Sequence, residues 1–524
     1  MARPPAVAWA PALLIAALLL IAPVYLALRT LGAGPEAADL IFRARILGVL
    51  LRTVALMGTV MVGCVVIAAP LAWLTVRTDL PFRGFWRVVT MLPLALPSYI
   101  VGFAIVVSLG PVGFLQEWLE LRFGVERLPS IYGFPGAAFT LIILSFPYVL
   151  LPVRAALWNM DATLEESARA LGRSRWQTFR SVTLPMLRPA ILAGGLLSAL
   201  YTLSDFGAVA MMRYETFTWS IFIAYDTFSR DLAAAWSLVL IVLALSVVWG
   251  ENMARNAGSG RYYRSQGGAS RLAEPIPLGG WRWPALAYCS AVGLVSLGLP
   301  VAVLVYWTVR GVAAGEPLLL LWKAAANSVG VSALAAALTV VCAVPIAMLA
   351  VRYPGVLSRW LERLGFVGFA LPGIVIALGL VFFGANYATW LYQSLAMLAV
   401  AYVTLFLPAA VGSLRTSLVQ VRPEYEDAAR SLGKRPVSVF VMVTLPLIRP
   451  GILTGAALVF LLTMKELPAT LILSPIGFTT LASSIWAAAE EAFFARAAAP
   501  ALLLVAVSSV PLAIITMREE RRQE

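Results

Sequence analysis

Glu165-Glu166-Ser167-Ala168-Arg169-Ala170-Leu171-Gly172 and Glu426-Asp427-Ala428-Ala429-Arg430-Ser431-Leu432-Gly433 are one polar stretch written twice into a greasy chain. The first copy continues to Thr183-Leu184-Pro185 and Arg188-Pro189, the second to Thr444-Leu445-Pro446 and Arg449-Pro450. A constant offset of 261 relates the two copies without a gap. Their flanks decide the fold. Hydrophobic residues make up 61% of the 524, charged residues only 12%, and mean hydropathy is +0.88. That composition lies far from a soluble domain and reads as a polytopic membrane protein.

A helix needs roughly 20 mostly apolar residues to cross the hydrocarbon core. Such spans are predicted at 11–28, 52–76, 88–110, 136–158, 190–212 and 234–252. Six more are predicted at 284–309, 327–351, 364–383, 392–414, 451–472 and 498–517. The first run has Arg3 ahead of it, as a signal peptide would. It is long for such a segment and lacks a small-x-small cleavage site, so it reads as a membrane helix. Residues 253–282, rich in Gly, Ser and Arg, read as a linker. The expected architecture is all-α with about twelve transmembrane helices. One six-helix unit spans 1–252, a cytoplasmic linker spans 253–282, and a second six-helix unit spans 283–524.

The repeat extends beyond the polar stretch. Pro70 to Arg77 aligns with Pro345 to Arg352, and Leu96-Pro97 with Leu371-Pro372, at an offset of 275. The difference of 14 between the two offsets falls in the longer loop of the first half, at 111–135. Two whole units are therefore repeated. An even number of spans per unit gives the copies parallel topology.

With the N-terminus inside, the inner segments carry 27 of the 39 lysines and arginines, while the acids divide evenly. Lysine and arginine carry the topological signal, so both polar loops are expected in the cytoplasm. The net charge of +13 is thereby explained without a nucleic-acid partner. The chain has no histidine, the commonest transition-metal ligand and proton shuttle. Cys64, Cys289 and Cys342 sit in apolar runs without CxxC spacing, which argues against a disulfide framework or a thiolate metal site. No GxxxxGK[ST] loop is present to cradle a nucleotide phosphate.

Each polar loop reads as a short helix, a tight turn and a proline-marked return to the membrane. Thr163 with Glu166 has capping-box spacing, and Pro423 stands where a first helical turn begins. Gly172 and Gly433 are placed to end the two helices in a left-handed conformation. Small side chains on the helix face would let another protein's backbone approach, and an exposed acid would offer it a charge-assisted bond. In the span after each loop, Asp205 aligns with Glu466, next to Lys465. Each acid lies roughly 22 Å along its helix from the re-entry. Ionisable groups at membrane depth are costly and usually face a pathway or a partner; pairing within the protein is the alternative. Phe114 to Phe123 reads as a short amphipathic interfacial helix with Trp118 as anchor.

The segments Glu166–Gly172 and Asp427–Gly433, each followed by Thr-Leu-Pro, resemble the EAA loop of ABC importer permeases. The resemblance implies a coupling helix that docks in a groove of a separate ATPase subunit, which binds ATP and Mg²⁺. It assigns Glu165, Glu166, Ala168, Gly172, Glu426, Asp427, Ala429 and Gly433 to two such couplings. Ser167 and Asp427 depart mildly from the family's Ala and Glu. The spans around Asp205 and Lys465-Glu466, with Gly260-Arg261-Tyr262-Tyr263-Arg264, are similar to the fused permease of ferric-iron importers. That likeness implies two ATPase copies, a periplasmic binding protein, a bacterial inner-membrane location with both termini cytoplasmic, and Fe(III) passed by alternating access. Relatives of similar layout carry thiamine, polyamines, sulfate or phosphonates.

Fe(III) is a hard cation suited to carboxylate oxygens such as those of Asp205 and Glu466, which with the neighbouring Lys465 are the candidate pathway residues, though two acids do not make a high-affinity metal site. An ion-driven secondary transporter would need ligands near the midplane. A membrane-embedded enzyme would need a nucleophile–base or metal cluster, and the sequence displays none.

Overall fold

The computed structural model describes residues 6–32, 44–111, 113–125, 129–262, 275–315, 319–366, 368 and 371–521. Among them it has no strand, one isolated bridge, and eleven helices long and apolar enough to cross a membrane. A twelfth apolar helix, Gly373–Tyr387, is shorter. The all-α polytopic expectation therefore holds, with eleven long spans in place of twelve.

In chain order, the helices used below are α1 (Ala6–Gly32), α2 (Ala44–Arg77), α3 (Ser98–Leu109), α4 (Phe134–Trp158), α5 (Ala162–Ala170), α6 (Arg175–Ser204), α7 (Gly207–Met211) and α8 (Arg230–Tyr262). The second half supplies α9 (Gly279–Ala313), α10 (Leu319–Arg352), α11 (Gly373–Tyr387), α12 (Leu395–Gln420), α13 (Pro423–Ser431), α14 (Pro436–Met464), α15 (Pro468–Leu473) and α16 (Phe494–Arg521).

Prolines explain where the helices depart from simple spans. The run predicted at 88–110 is broken: a turn of 3₁₀ helix at Leu92–Ala95, with Pro93 inside it, precedes α3, which starts after Pro97. Pro185 and Pro446 lack an N–H, and each ring would collide with the carbonyl four residues back. There α6 and α14 widen into one π turn each, at Phe179–Thr183 and Phe440–Thr444. The spans predicted at 190–212 and 451–472 stop at Asp205 and at Lys465-Glu466 and restart as α7 and α15.

The chain forms two compact units. One gathers the described residues of Phe42–Ser220 and Val242–Tyr306; the other gathers those of Met1–Ile41, Ile221–Ile241 and Trp307–Glu524. The compact units thus differ from the division of the sequence at its linker. In the second unit α1 packs on α10 and α11, close enough that a Cβ on Gly379 would lie 2.6 Å from Ala22 Cβ. Small residues allow this backbone approach, the usual means of joining membrane helices. Arg29 pairs there with Asp231 at 3.0 Å.

The predicted linker is partly ordered as helix, because α8 runs on to Tyr262; residues 263–274 lie outside the described set. From 275 the backbone is pinned to the first unit. Ile276 N–H donates to the Arg77 carbonyl at 2.8 Å, and Leu278 N–H donates to Asp79 Oδ1 at 2.8 Å. That backbone N–H and the Arg282 guanidinium hold the Asp79 carboxyl below the usual carboxylate range. Phe114–Phe123 is helical as predicted, with Trp118 exposed.

Candidate functional site

The two polar loops fold alike, and the chemistry of their ends explains why. Asp161, not Thr163, caps α5, accepting from Thr163 N–H at 3.0 Å. The acid two residues before Thr163 reaches the free N–H groups, so Thr163 falls inside the helix. Pro423 stands at the first turn of α13, as predicted. Gly172 and Gly433 have φ of 84° and 79°. Their N–H groups donate to the Arg169 and Arg430 carbonyls, and the next residues, Arg173 and Lys434, donate to the Ala168 and Ala429 carbonyls. Each helix therefore closes in the same glycine-dependent C-terminal motif.

Adjacent acids in each loop face opposite ways. Ala162, Glu165 and Ala168 are buried on one side of α5, at a spacing of three, while Glu166 is exposed on the other. In α13 Glu426 is buried, Ala429 half-buried and Asp427 exposed, its carboxylate 3.0 Å from Arg430. The small residues Ala168 and Ala429 accordingly face the chain itself, which lets each loop helix lie close on its own π turn.

The buried acids meet partners that sequence reading left out. Glu165 Oε1 lies 2.7 Å from Arg77 Nη2 and accepts from Thr183 Oγ1 at 2.6 Å. Glu426 Oε1 accepts from Arg352 Nε at 3.0 Å and from Thr444 Oγ1 at 3.1 Å. Arg77 and Arg352 are the last residues of α2 and α10, and each acid sits in the first turn of its loop helix. Cations suit a helix C-terminus and anions an N-terminus, so each pair also settles two helix dipoles. A signal was available: Arg77 and Arg352 close the best match outside the loops.

Each loop also exposes hydrophobic side chains. Leu171 and Leu432 are 84% and 82% exposed, and Trp176 and Val437 follow on the same loops, also exposed.

Asp205 and Glu466, the acids expected to face the pathway, lie at the helix breaks. Asp205 Oδ2 accepts from Ala208 N–H at 2.9 Å, and Glu466 Oε1 accepts from Ala469 N–H at 3.2 Å. Their backbone carbonyls accept from Thr218 and Thr470 at 2.6 and 2.7 Å. Each carboxylate thus caps the short helix that follows it, α7 or α15. Lys465 ends α14 beside Glu466. Among the described residues no three of His, Cys, Asp and Glu come together as a metal site.

Comparison with known proteins agrees with this duplicated plan. The model of the binding-protein-dependent transport system inner membrane component matches residues 65–250 and again 339–523. The Fe(3+)-transport system permease protein FbpB 2 of Haemophilus influenzae is 36% identical over 498 residues, 94% of each chain. The ferric transport system permease protein FbpB of Actinobacillus pleuropneumoniae is 23% identical over 91% of this chain and 72% of its own. The molybdenum transport system permease protein ModB of Escherichia coli strain K12 is 38% identical over 137 residues, 26% of this chain and 58% of its own. With its membrane unit present twice, the chain belongs to the inner-membrane permease components of binding-protein-dependent ABC importers, as a fused two-repeat member.

Proposed function

We propose that this permease passes Fe(III) from a periplasmic binding protein to the cytoplasm, driven by two copies of a cytoplasmic ABC ATPase that dock on α5 and α13. The observation that carries the cargo is the 36% identity over 94% of both chains to a relative named for Fe(3+) transport. Docking is supported by the duplicated loops, each of which exposes a leucine five residues after an exposed acid. Exposed apolar and acidic side chains on one loop suit a groove with an apolar floor and a basic rim. ATP and Mg²⁺ belong to the ATPase. Its closure would press on both loops and alternate access to the pathway from the two sides of the membrane.

Asp205 and Glu466 hold the helix breaks through their backbone contacts, and their carboxylates offer hard oxygens to a hard cation in transit. No resident metal is needed for such passage, because tight binding is left to the delivering protein. A bacterial inner-membrane location with both loops and both termini inside fits the lysine and arginine distribution. Proteoliposomes holding the permease, its ATPase and its binding protein should accumulate radiolabelled Fe(III) only with ATP. Accumulation of molybdate, sulfate, thiamine or a polyamine in its place would overturn the cargo.

A further inference from the structure

We propose that Glu165 and Glu426 are positioning residues that clasp each coupling helix to the membrane helices, so that force arriving at the loop reaches α2 with α6 in one half and α10 with α14 in the other. The inference rests on the docking reading above and goes beyond it by naming the transmission. A helix lying on a membrane protein's inner surface can slide under load if only apolar contacts hold it. Here each loop helix is tied at one carboxylate to two other elements. Arg77 comes from the end of α2, and Thr183 from the π turn of α6. Arg352 comes from the end of α10, and Thr444 from the π turn of α14.

Both clasps are shielded from water, which keeps the attraction from being screened. They are also the same clasp twice, although Arg77 and Arg352 are related by an offset of 275 and the acids and threonines by 261. Two separate alignments converge on one geometry. Neither exposed neighbour touches the clasp arginines or threonines: Glu166 stands apart, and Asp427 meets the second clasp only through Arg430, 3.0 Å from Asp427 and 3.6 Å from Glu426. In the second half Arg352 also donates to the Val421 carbonyl at the end of α12, which brings a third membrane helix into the clasp.

The test uses the assembled complex of permease, ATPase and binding protein. The neutral variants Glu165→Gln and Glu426→Gln, combined, should leave ATPase co-purification intact and basal ATP hydrolysis within about twofold. Fe(III) transported per ATP hydrolysed should fall about tenfold. Thr183→Val with Thr444→Val, which removes only the hydroxyls, should lower the same ratio by about threefold. The exchanged pairs Arg77→Glu with Glu165→Arg, and Arg352→Glu with Glu426→Arg, should restore at least half of the ratio lost in the Gln variants. An unchanged ratio in the Gln variants, or a loss that travels with co-purification and is not recovered by the exchanges, would overturn the clasp. A wild-type chain that neither retains the ATPase nor stimulates it would refute the docking reading and the clasp together. A coupled wild type with coupled Gln variants would refute the clasp alone.

Discussion

Arg77 reaches Glu165 over the ring of Trp73, whereas Arg352 reaches Glu426 beside a backbone carbonyl. In the first clasp the guanidinium lies 5.9 Å from the Trp73 ring, and its Nε has no hydrogen-bond partner among the described residues. Trp73 meets Phe179 edge-on at 5.2 Å, and Phe179 stacks on Trp176 at 5.6 Å, so aromatic contacts run from the buried pair to the loop surface. The second half has Met348 and Val437 where the first has Trp73 and Trp176. It replaces the aromatic chain with polar contacts: Arg352 donates to both Glu426 and Val421, and Arg430 forms an ion pair with Glu426 Oε2 at 3.6 Å. The repeat preserves the charges and their location while the support around them has diverged.

The largest expected effects come from breaking the pairs. A buried ion pair that loses one partner typically costs about 3–5 kcal/mol, because the remaining charge is uncompensated. Among the described residues Glu165→Ala leaves the Arg77 guanidinium with the Trp73 ring, so its loss should lie at the upper end. Glu426→Ala leaves Arg352 its bond to Val421, and should cost about 1 kcal/mol less. Thermal unfolding of the purified complexes would measure both, and the reverse order would break the comparison.

Next in size is the aromatic support. Trp73→Met installs the second-half residue in the first half and should cost about 1–3 kcal/mol through the lost edge and cation contacts. Met348→Trp should not be stabilising in return, since Arg352 already has its carbonyl. A smaller effect, equal in the two halves, is expected of Gly172→Ala and Gly433→Ala. Nothing lies within 4 Å of a Cβ at either position. The cost is therefore backbone strain alone, about 1–2 kcal/mol each. Unequal losses would show that the loop ends differ in a way their geometry does not display.

The smallest effect concerns the end of the linker, where Ile276 and Leu278 are pinned to the first half. Asp79 has a carboxyl held below its ordinary range, first by the Leu278 N–H and then by Arg282. Its unfolded form binds a proton more readily, so its contribution is present above about pH 4 and is lost as pH falls through the lower folded value. The protection of the Ile276 and Leu278 amides, relative to their intrinsic exchange rates, should fall in acid and in Asp79→Asn, with no change at the clasps.

Local chemistry was legible in the sequence: the repeated loops, their glycine ends, the Pro423 start and the apolar spans all depend on neighbours in the chain. Which of two adjacent acids turns inward was less so. That choice is made by a spacing of three from Ala162 to Glu165 to Ala168, and by an arginine more than eighty residues away. The helix breaks at Asp205 and Glu466 were masked by the apolar residues on both sides of them, although Pro468 was a local signal for the second. The composition of the compact units was out of reach, because nothing in the apolar pattern of α1 says which helices it will pack against.

The most direct test of the account reverses the two exposed acids together, Glu166→Lys with Asp427→Lys, and keeps the clasp residues themselves. Pull-down of the ATPase with the permease, with its stimulated ATP hydrolysis in the same preparation, is the measurement. Loss of both is expected if the two loops are where the ATPases dock. Full retention, with wild-type stimulation, would contradict it.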